Sequence, residues 1–175
     1  DTLTGGIGDD TYVFSTAPTA EADTVTELSA QGSDTLSFSS VATPVVLQLG
    51  ANVVQSVHTN RTLKLNLSST FENAIGGSGN DTLLGNSLNN LLIGGAGSDV
   101  LVGSSGDDNL QGGSQRDILI GGLGLDVLDG GTDDDILIAG RTTSDSSLAN
   151  LGTLRTGWIP LSAYSGRVAN LKAGV

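Results

Sequence analysis

From Gly76 to Ile138 the chain aligns with itself every nine residues without a gap. The seven lines are GGSGNDTLL, GNSLNNLLI, GGAGSDVLV, GSSGDDNLQ, GGSQRDILI, GGLGLDVLD and GGTDDDILI. Position one is Gly throughout, and position eight is Leu throughout (Leu83, Leu92, Leu101, Leu110, Leu119, Leu128, Leu137). Position six is Asp in six lines and Asn90 in the other. A fixed short period restricts the fold more than any single propensity does, because every unit has to meet its neighbours in the same way. Glycines at positions one, two and usually four admit left-handed turns and close backbone approach. The last three residues read x-Leu-x, a very short strand with one side chain turned inward. A line is therefore a six-residue loop followed by a three-residue strand, which is half of one coil.

Two lines complete a coil, so residues eighteen apart stack at the ~4.8 Å strand spacing of a parallel β-roll. Asp81, Asp99, Asp117 and Asp135 then form one column of carboxylates along one edge, and Asn90, Asp108 and Asp126 form a second along the other. Unit charges at that spacing repel by about 1 kcal/mol per neighbouring pair in water and by about 3–4 kcal/mol at an effective dielectric near 20. Arg116 is the only Lys or Arg in the segment, against ten Asp. The chain does not supply the missing cation. Carboxylates and loop carbonyls, with no Cys or His in the segment, select Ca²⁺ over Zn²⁺ or copper. The stacked loops leave three gaps on one edge and two on the other, so about four to five calcium ions are expected.

These lines resemble the GGxGxDxUx nonapeptides of the RTX (repeats-in-toxin, haemolysin-type calcium-binding) family. The resemblance covers 63 contiguous residues and one outlying line, GGIGDDTYV at Gly5 to Val13, which places Asp10 at position six. It implies an all-β, right-handed parallel β-roll with calcium held between loops of adjacent coils. The ligands it implies are the position-six side chains with carbonyls near positions two and four, which here are Gly77, Gly79, Gly95, Gly97, Gly106, Gly113, Gly122, Gly124 and Gly131. It also implies export by a type I system and a secreted, extracellular or cell-surface location. Three lines depart from the pattern: line two has Asn86, Leu88 and Asn90, line five has Gln115, and line seven has Asp133. The first departure is expected to weaken the Asn90 to Asp108 interval most.

The rest of the chain flanks this array as two further segments. Residues 1–75 read as an irregular solenoid block carrying eight acids and two bases, and the opening Asp1-Thr2-Leu3-Thr4 has the form of a line whose first half is missing, as in a fragment. Two half-lines, Asp23-Thr24-Val25-Thr26 and Gly32-Ser33-Asp34-Thr35-Leu36-Ser37, echo the Asp-x-apolar half without the full glycine set and are weak metal signals. Between Val41 and Leu67 the period becomes two, as in half-buried strands (Val45, Leu47, Leu49; Leu63, Leu65, Leu67) separated by turn residues. After Ile138 the composition turns basic, four bases against one acid. Ser144-Asp145-Ser146 ahead of Leu148, Leu151 and Leu154 predicts an N-capped short helix ending at Trp158 and Pro160, and a second helical piece is expected from Tyr164 to Lys172. This makes 139–175 a partly helical tail.

One face of the roll is expected to need a cover. Outward positions seven and nine of the odd lines carry Val100, Val102, Ile118, Ile120, Ile136 and Ile138, a nearly continuous apolar sheet of the kind that marks an interface. The basic tail or a second copy of the chain would cover it.

The net charge of −12 argues against a nucleic-acid partner, and no stretch approaches the 18 apolar residues of a membrane span. No HExxH, GxSxG or EF-hand loop is present, His58 is the only histidine, and each Gly-rich loop is followed by Asp, which repels a phosphate. The chain therefore reads as non-catalytic. Two functions follow: a calcium-stabilised spacer, adhesion or fibre/lattice module of a secreted or cell-surface bacterial protein, or the secretion and folding module of a secreted enzyme such as a protease or lipase. In both, metal binding is folding energy.

Overall fold

The computed structural model describes residues 1–27, 32–66, 70–142 and 145–158. Successive coils climb one axis. The first coil holds β1 (Thr2–Thr4) and β2 (Thr11–Val13), and the second holds β3 (Glu21–Thr26), β4 (Thr35–Ser37) and β5 (Val46–Gln48). A return strand, β6 (Val54–His58), precedes the third coil, β7 (Arg61–Asn66), β8 (Asn73–Ile75) and β9 (Thr82–Leu84). From there each coil has two strands: β10 (Leu91–Ala96) with β11 (Val100–Ser105), β12 (Asn109–Ser114) with β13 (Ile118–Leu123), and β14 (Val127–Gly131) with β15 (Ile136–Ile138). Helix α1 (Leu148–Trp158) follows.

Three sheets result, ordered β1-β3-β7-β6, β14-β12-β10-β8-β4-β2 and β15-β13-β11-β9-β5. Every pairing is parallel except β6 with β7. The fold is thus an all-β parallel roll, three-sided through its third coil and two-sided beyond it. The first sheet ends because β6 turns back over Thr59-Asn60, with Asn60 at φ 64°, and pairs antiparallel with the edge of β7 that a fourth coil would have used. An open parallel edge is a template for unwanted pairing, and a short hairpin strand closes it.

In the two-sided part, registers advance by eighteen: Leu83 pairs with Leu101, Leu101 with Leu119, Leu119 with Leu137, and Leu92 with Leu110, which pairs with Leu128. Leu83, Leu92, Leu101, Leu110 and Leu119 are fully buried, while Leu137, on the last rung, is 47% exposed because no further coil follows it among the described residues. The ladder continues downward through Ala74, Leu36 and Tyr12 on one sheet and Leu47 on the other. The wider three-sided interior is filled by rings: Phe14 stacks on Phe38 at 4.9 Å, and Tyr12 meets Phe71 edge-on at 6.3 Å. One buried cluster runs without a break from Tyr12 to Leu119, across residues 75 and 76.

Two expectations needed correction. The strands β10 to β13 are six residues long and not three, because ladder pairing continues through the first residues of the next line, as in Gly95 with Gly113 and Ser104 with Gly122. The helix cap is Ser147, whose Oγ accepts the Asn150 N–H at 3.3 Å, one residue beyond the Ser144 to Ser146 stretch. The second helical piece at 164–172 and the strand residue Leu67 lie outside the described residues.

Helix α1 covers the apolar odd face. Leu151 is fully buried in a second cluster with Leu84, Val100, Val102, Ile118 and Ile120, flanked by Ile136, Ile138, Leu148 and Leu154. The spacing of three residues between those leucines puts them on one helix face. Arg155 anchors the same face, its Nη1 donating to the Asn80 carbonyl at 2.8 Å.

Candidate metal centre

Each position-six residue sits at the foot of a strand, where a loop enters a sheet. The N–H of Asp81 donates to Asp99 Oδ1 at 2.7 Å, that of Asp99 to Asp117 Oδ1 at 2.7 Å, and that of Asp117 to Asp135 Oδ1 at 2.9 Å. On the opposite edge Asn90 N–H donates to Asp108 Oδ1 at 2.8 Å and Asp108 N–H to Asp126 Oδ1 at 3.1 Å. The two predicted columns are therefore physical ladders, and one oxygen of each carboxylate ties a coil to the one before it.

The second oxygen is different. Oδ2 of Asp99, Asp108, Asp117 and Asp126 is sealed from solvent and meets no hydrogen-bond donor among the described residues. Asp81, Asp99, Asp108 and Asp117 are at most 2% exposed. A buried carboxylate oxygen without a donor or cation is costly, so such groups either take a proton or hold a metal. Burial pushes the Asp99 carboxyl up to about 8 and Asp117 up to about 7, with neighbouring carboxylates adding to the rise and backbone donors opposing it. Burial likewise raises Asp81 and Asp108 to about 6, and raises Asp135.

These unpaired oxygens share a cradle. A Cβ added at Gly94 would collide with Asp99 Oδ2 and the Gly112 carbonyl, one at Gly103 with Asp108 Oδ2 and the Gly121 carbonyl, and one at Gly112 with Asp117 Oδ2 and the Gly130 carbonyl. Position one must be Gly because its side-chain space holds a carboxylate oxygen of its own line and a carbonyl from the next coil. An all-oxygen cradle with a carboxylate in it fits a hard cation such as Ca²⁺, and the residues fit the group. The position-one carbonyls were not singled out from the sequence.

The other expected residues fall as follows. Gly77, Gly95, Gly113 and Gly131 stack in one column, as do Gly79 under Gly97, Gly106 under Gly124, and Gly122 beside Ser104. The Gly77 carbonyl already accepts the Ala96 N–H at 3.0 Å and that of Gly113 the Thr132 N–H at 2.9 Å, so position-two carbonyls serve the backbone ladder. Gln115 and Asp133 take φ of 74° and 76° where glycine was expected at position four, and Ser104 takes 82° at position two. The stack imposes the left-handed backbone even on residues with a Cβ, at about 1–3 kcal/mol each. Asn90 differs from the aspartates: its Oδ1 accepts the Asn86 N–H at 2.8 Å and its Nδ2 donates to the Glu72 carbonyl at 3.0 Å, so hydrogen bonds within the protein occupy it.

The second column is longer than the repeats disclose. Asp10 N–H donates to Asp34 Oδ1 at 2.9 Å, and Asp34 N–H to Glu72 Oε2 at 2.8 Å. Asp10, Asp34, Glu72, Asn90, Asp108 and Asp126 each precede a strand of one sheet, so position six continues through all six coils. Of the half-lines, Asp34 joins this column, whereas Asp23 is paired with Arg61.

Stacked acidic loops with orphaned inward oxygens on a parallel roll define a calcium-binding β-roll. The family model for the RTX calcium-binding nonapeptide repeat (4 copies) matches residues 1–14, 75–110 and 102–137. RTX repeats bind calcium. No curated protein matches the chain.

Proposed function

We propose that this chain is a non-catalytic, calcium-folded structural module of a secreted or cell-surface bacterial protein, serving as a spacer, adhesion or lattice element. The carrying observation is the set of buried Oδ2 atoms at Asp99, Asp108, Asp117 and Asp126, each without a donor among the described residues. In this reading Asp81, Asp99, Asp117 and Asp135 on one edge and Asp108 and Asp126 on the other hold the ions. Carbonyls of the adjoining glycines complete each site, and Asn90 contributes least. Calcium supplies the charge that lets carboxylates of successive coils lie side by side. The chain would stay loose where calcium is scarce and become rigid outside the cell, where modules of this kind bind at roughly 10⁻⁴ to 10⁻³ M.

The test is circular dichroism of the whole chain titrated with calcium, repeated for Asp99→Asn and Asp117→Asn. The β signal is expected to rise with calcium and both variants to move the midpoint upward at least about tenfold. Identical spectra in calcium and in chelator would overturn the reading.

A further inference from the structure

The two ends of one sheet match each other. β14 and β2 are the outer strands of the six-stranded sheet, so each has one edge with no strand beside it among the described residues. Both belong to complete nonapeptides, GGLGLDVLD (Gly121 to Asp129) at the upper end and GGIGDDTYV (Gly5 to Val13) at the lower. Of the eight large apolar side chains exposed among the described residues, six lie at the ends: Ile7 and Val13 in the first line, and Leu123, Leu125, Val127 and Leu137 in the last two. Position three sets the two matching lines apart. It is Ser78, Ser87, Ala96, Ser105, Ser114 and Thr132 in the other six lines, whereas the lines that end this sheet carry Ile7, 78% exposed, and Leu123, 53% exposed.

The lower end is also shaped to sit on a glycine loop. Within the roll, glycines at positions two and four lie against the loop of the coil below: a Cβ added at Gly122 would strike the Ser104 carbonyl, and one at Gly124 the Gly106 carbonyl. Gly6 and Gly8 hold the same positions with the same left-handed backbone, φ 126° and 100° against 111° and 136° at Gly122 and Gly124. A Cβ added at Gly6 or Gly8 would nevertheless meet nothing within 4 Å. The first loop thus has the underside of a stacked coil with nothing under it among the described residues. The loop that would fit there is Gly121 to Asp126.

We propose that the two ends join copies of this chain head to tail, the Gly121 to Asp129 line of one molecule seating the Gly5 to Val13 line of the next. The register of the sheet then carries on across the junction, with Leu128 under Tyr12, Gly124 under Gly8 and Leu123 against Ile7. β14 pairs parallel with β2 of the next copy, and the two apolar side chains at position three leave water together. Two different patches make a heterologous contact, and repeated along a solenoid axis it does not close, so copies add in an open file. This names the partner of the lattice element proposed above and rests on that reading: Asp9, Asp126 and Asp129 put like charge at the junction, so the contact belongs to the calcium form of the roll.

Sedimentation velocity of the full chain in saturating calcium tests this. One strand and one loop make a small interface of the weak, transient class, so the series runs from about 10 µM to about 1 mM. The mean mass is expected to climb with concentration past that of a dimer. Ile7→Glu blocks the lower end and Leu123→Glu the upper, and either alone should weaken association at least about tenfold. An equimolar mixture of the two variants should recover dimers and nothing larger, because one intact upper end meets one intact lower end. Both side chains are exposed, and calcium-form dichroism checks that each variant folds; where one does not, Ser, the commonest residue at position three, replaces Glu. A wild-type monomer at every concentration overturns the contact. So does association that Leu123→Glu breaks and Ile7→Glu does not, which would join upper end to upper end, and so does association that neither changes. A monomer whose dichroism still responds to calcium leaves the calcium reading standing, whereas dichroism indifferent to calcium removes that reading whatever the mass.

Discussion

The three-sided coils up to residue 75 and the two-sided coils from 76 to 138 face the same difficulty, stacking acids at a fixed rise, and answer it differently. In the first region Arg61, 7% exposed, lies between Asp23 and Glu21 and sits 5.4 Å from the Phe14 ring centroid. There the chain brings its own cation, and aromatic rings fill a broad interior. In the second region Leu rungs leave a narrow interior and the buried Oδ2 atoms of Asp99, Asp108, Asp117 and Asp126 point into cradles where, among the described residues, no side-chain donor meets them. An acid met by the chain's own guanidinium, as Asp23 is, needs nothing from the medium, whereas an acid that borrows its counter-charge from solution is conditional on that solution.

The largest effect expected is on calcium removal. Chelation should abolish amide-exchange protection in β11 to β15 while β3 and β7 exchange far more slowly. Hydrogen exchange read by mass spectrometry checks this, and simultaneous loss in both regions would erase the contrast.

Next in size is Arg61→Ala, which leaves buried Asp23 with only the exposed Asp1 amino group opposite it and should destabilise the first region by about 3–5 kcal/mol. Denaturant melts at low and saturating calcium measure it. The loss should not be relieved by more calcium.

Leu151→Ala removes the buried centre of the α1 contact and should cost about 2–5 kcal/mol of helix docking. A dye that reports exposed apolar surface should bind the variant at the Val100, Ile118 and Ile120 face.

The smallest effect is a reversal with pH. Without calcium, Asp99 and Asp117 titrate near 8 and 7 against a usual 3.8, so the folded roll binds protons that the unfolded chain releases. Stability of the metal-free roll is then highest below about pH 4 and falls as pH rises through 7 to 8. With calcium the order inverts, because binding at neutral pH displaces those protons. Melting temperature against pH in the two buffers should give curves of opposite slope.

Much of this architecture was legible in residues 76 to 138. A Leu every ninth position and an Asp two residues before it set the rung, the register of eighteen and both ladders, and the structure repeats them. The cover on the odd face was legible as a need, since Val100, Val102, Ile118 and Ile120 had to be hidden, and Leu151 hides them. The first 75 residues gave less because their coils are of unequal length, β3 to β7 stepping forty residues and β4 to β8 thirty-eight. Without a constant period, Asp34 read as an isolated half-line. Glu72 had only its place before Asn73-Ala74-Ile75 as a signal, since burial and convergence are properties of space.

The sequence by itself determined the repeat, the rise and the chemistry of the ladders, because short-period structure is made by neighbours eighteen residues apart meeting in one way. Only the tertiary structure decided which acids are met by Arg61 and which are left bare, where three sides become two, and that position-one carbonyls face the unpaired oxygens. Those outcomes depend on which distant segments share a coil, and that is fixed by packing around the axis and not by any local pattern.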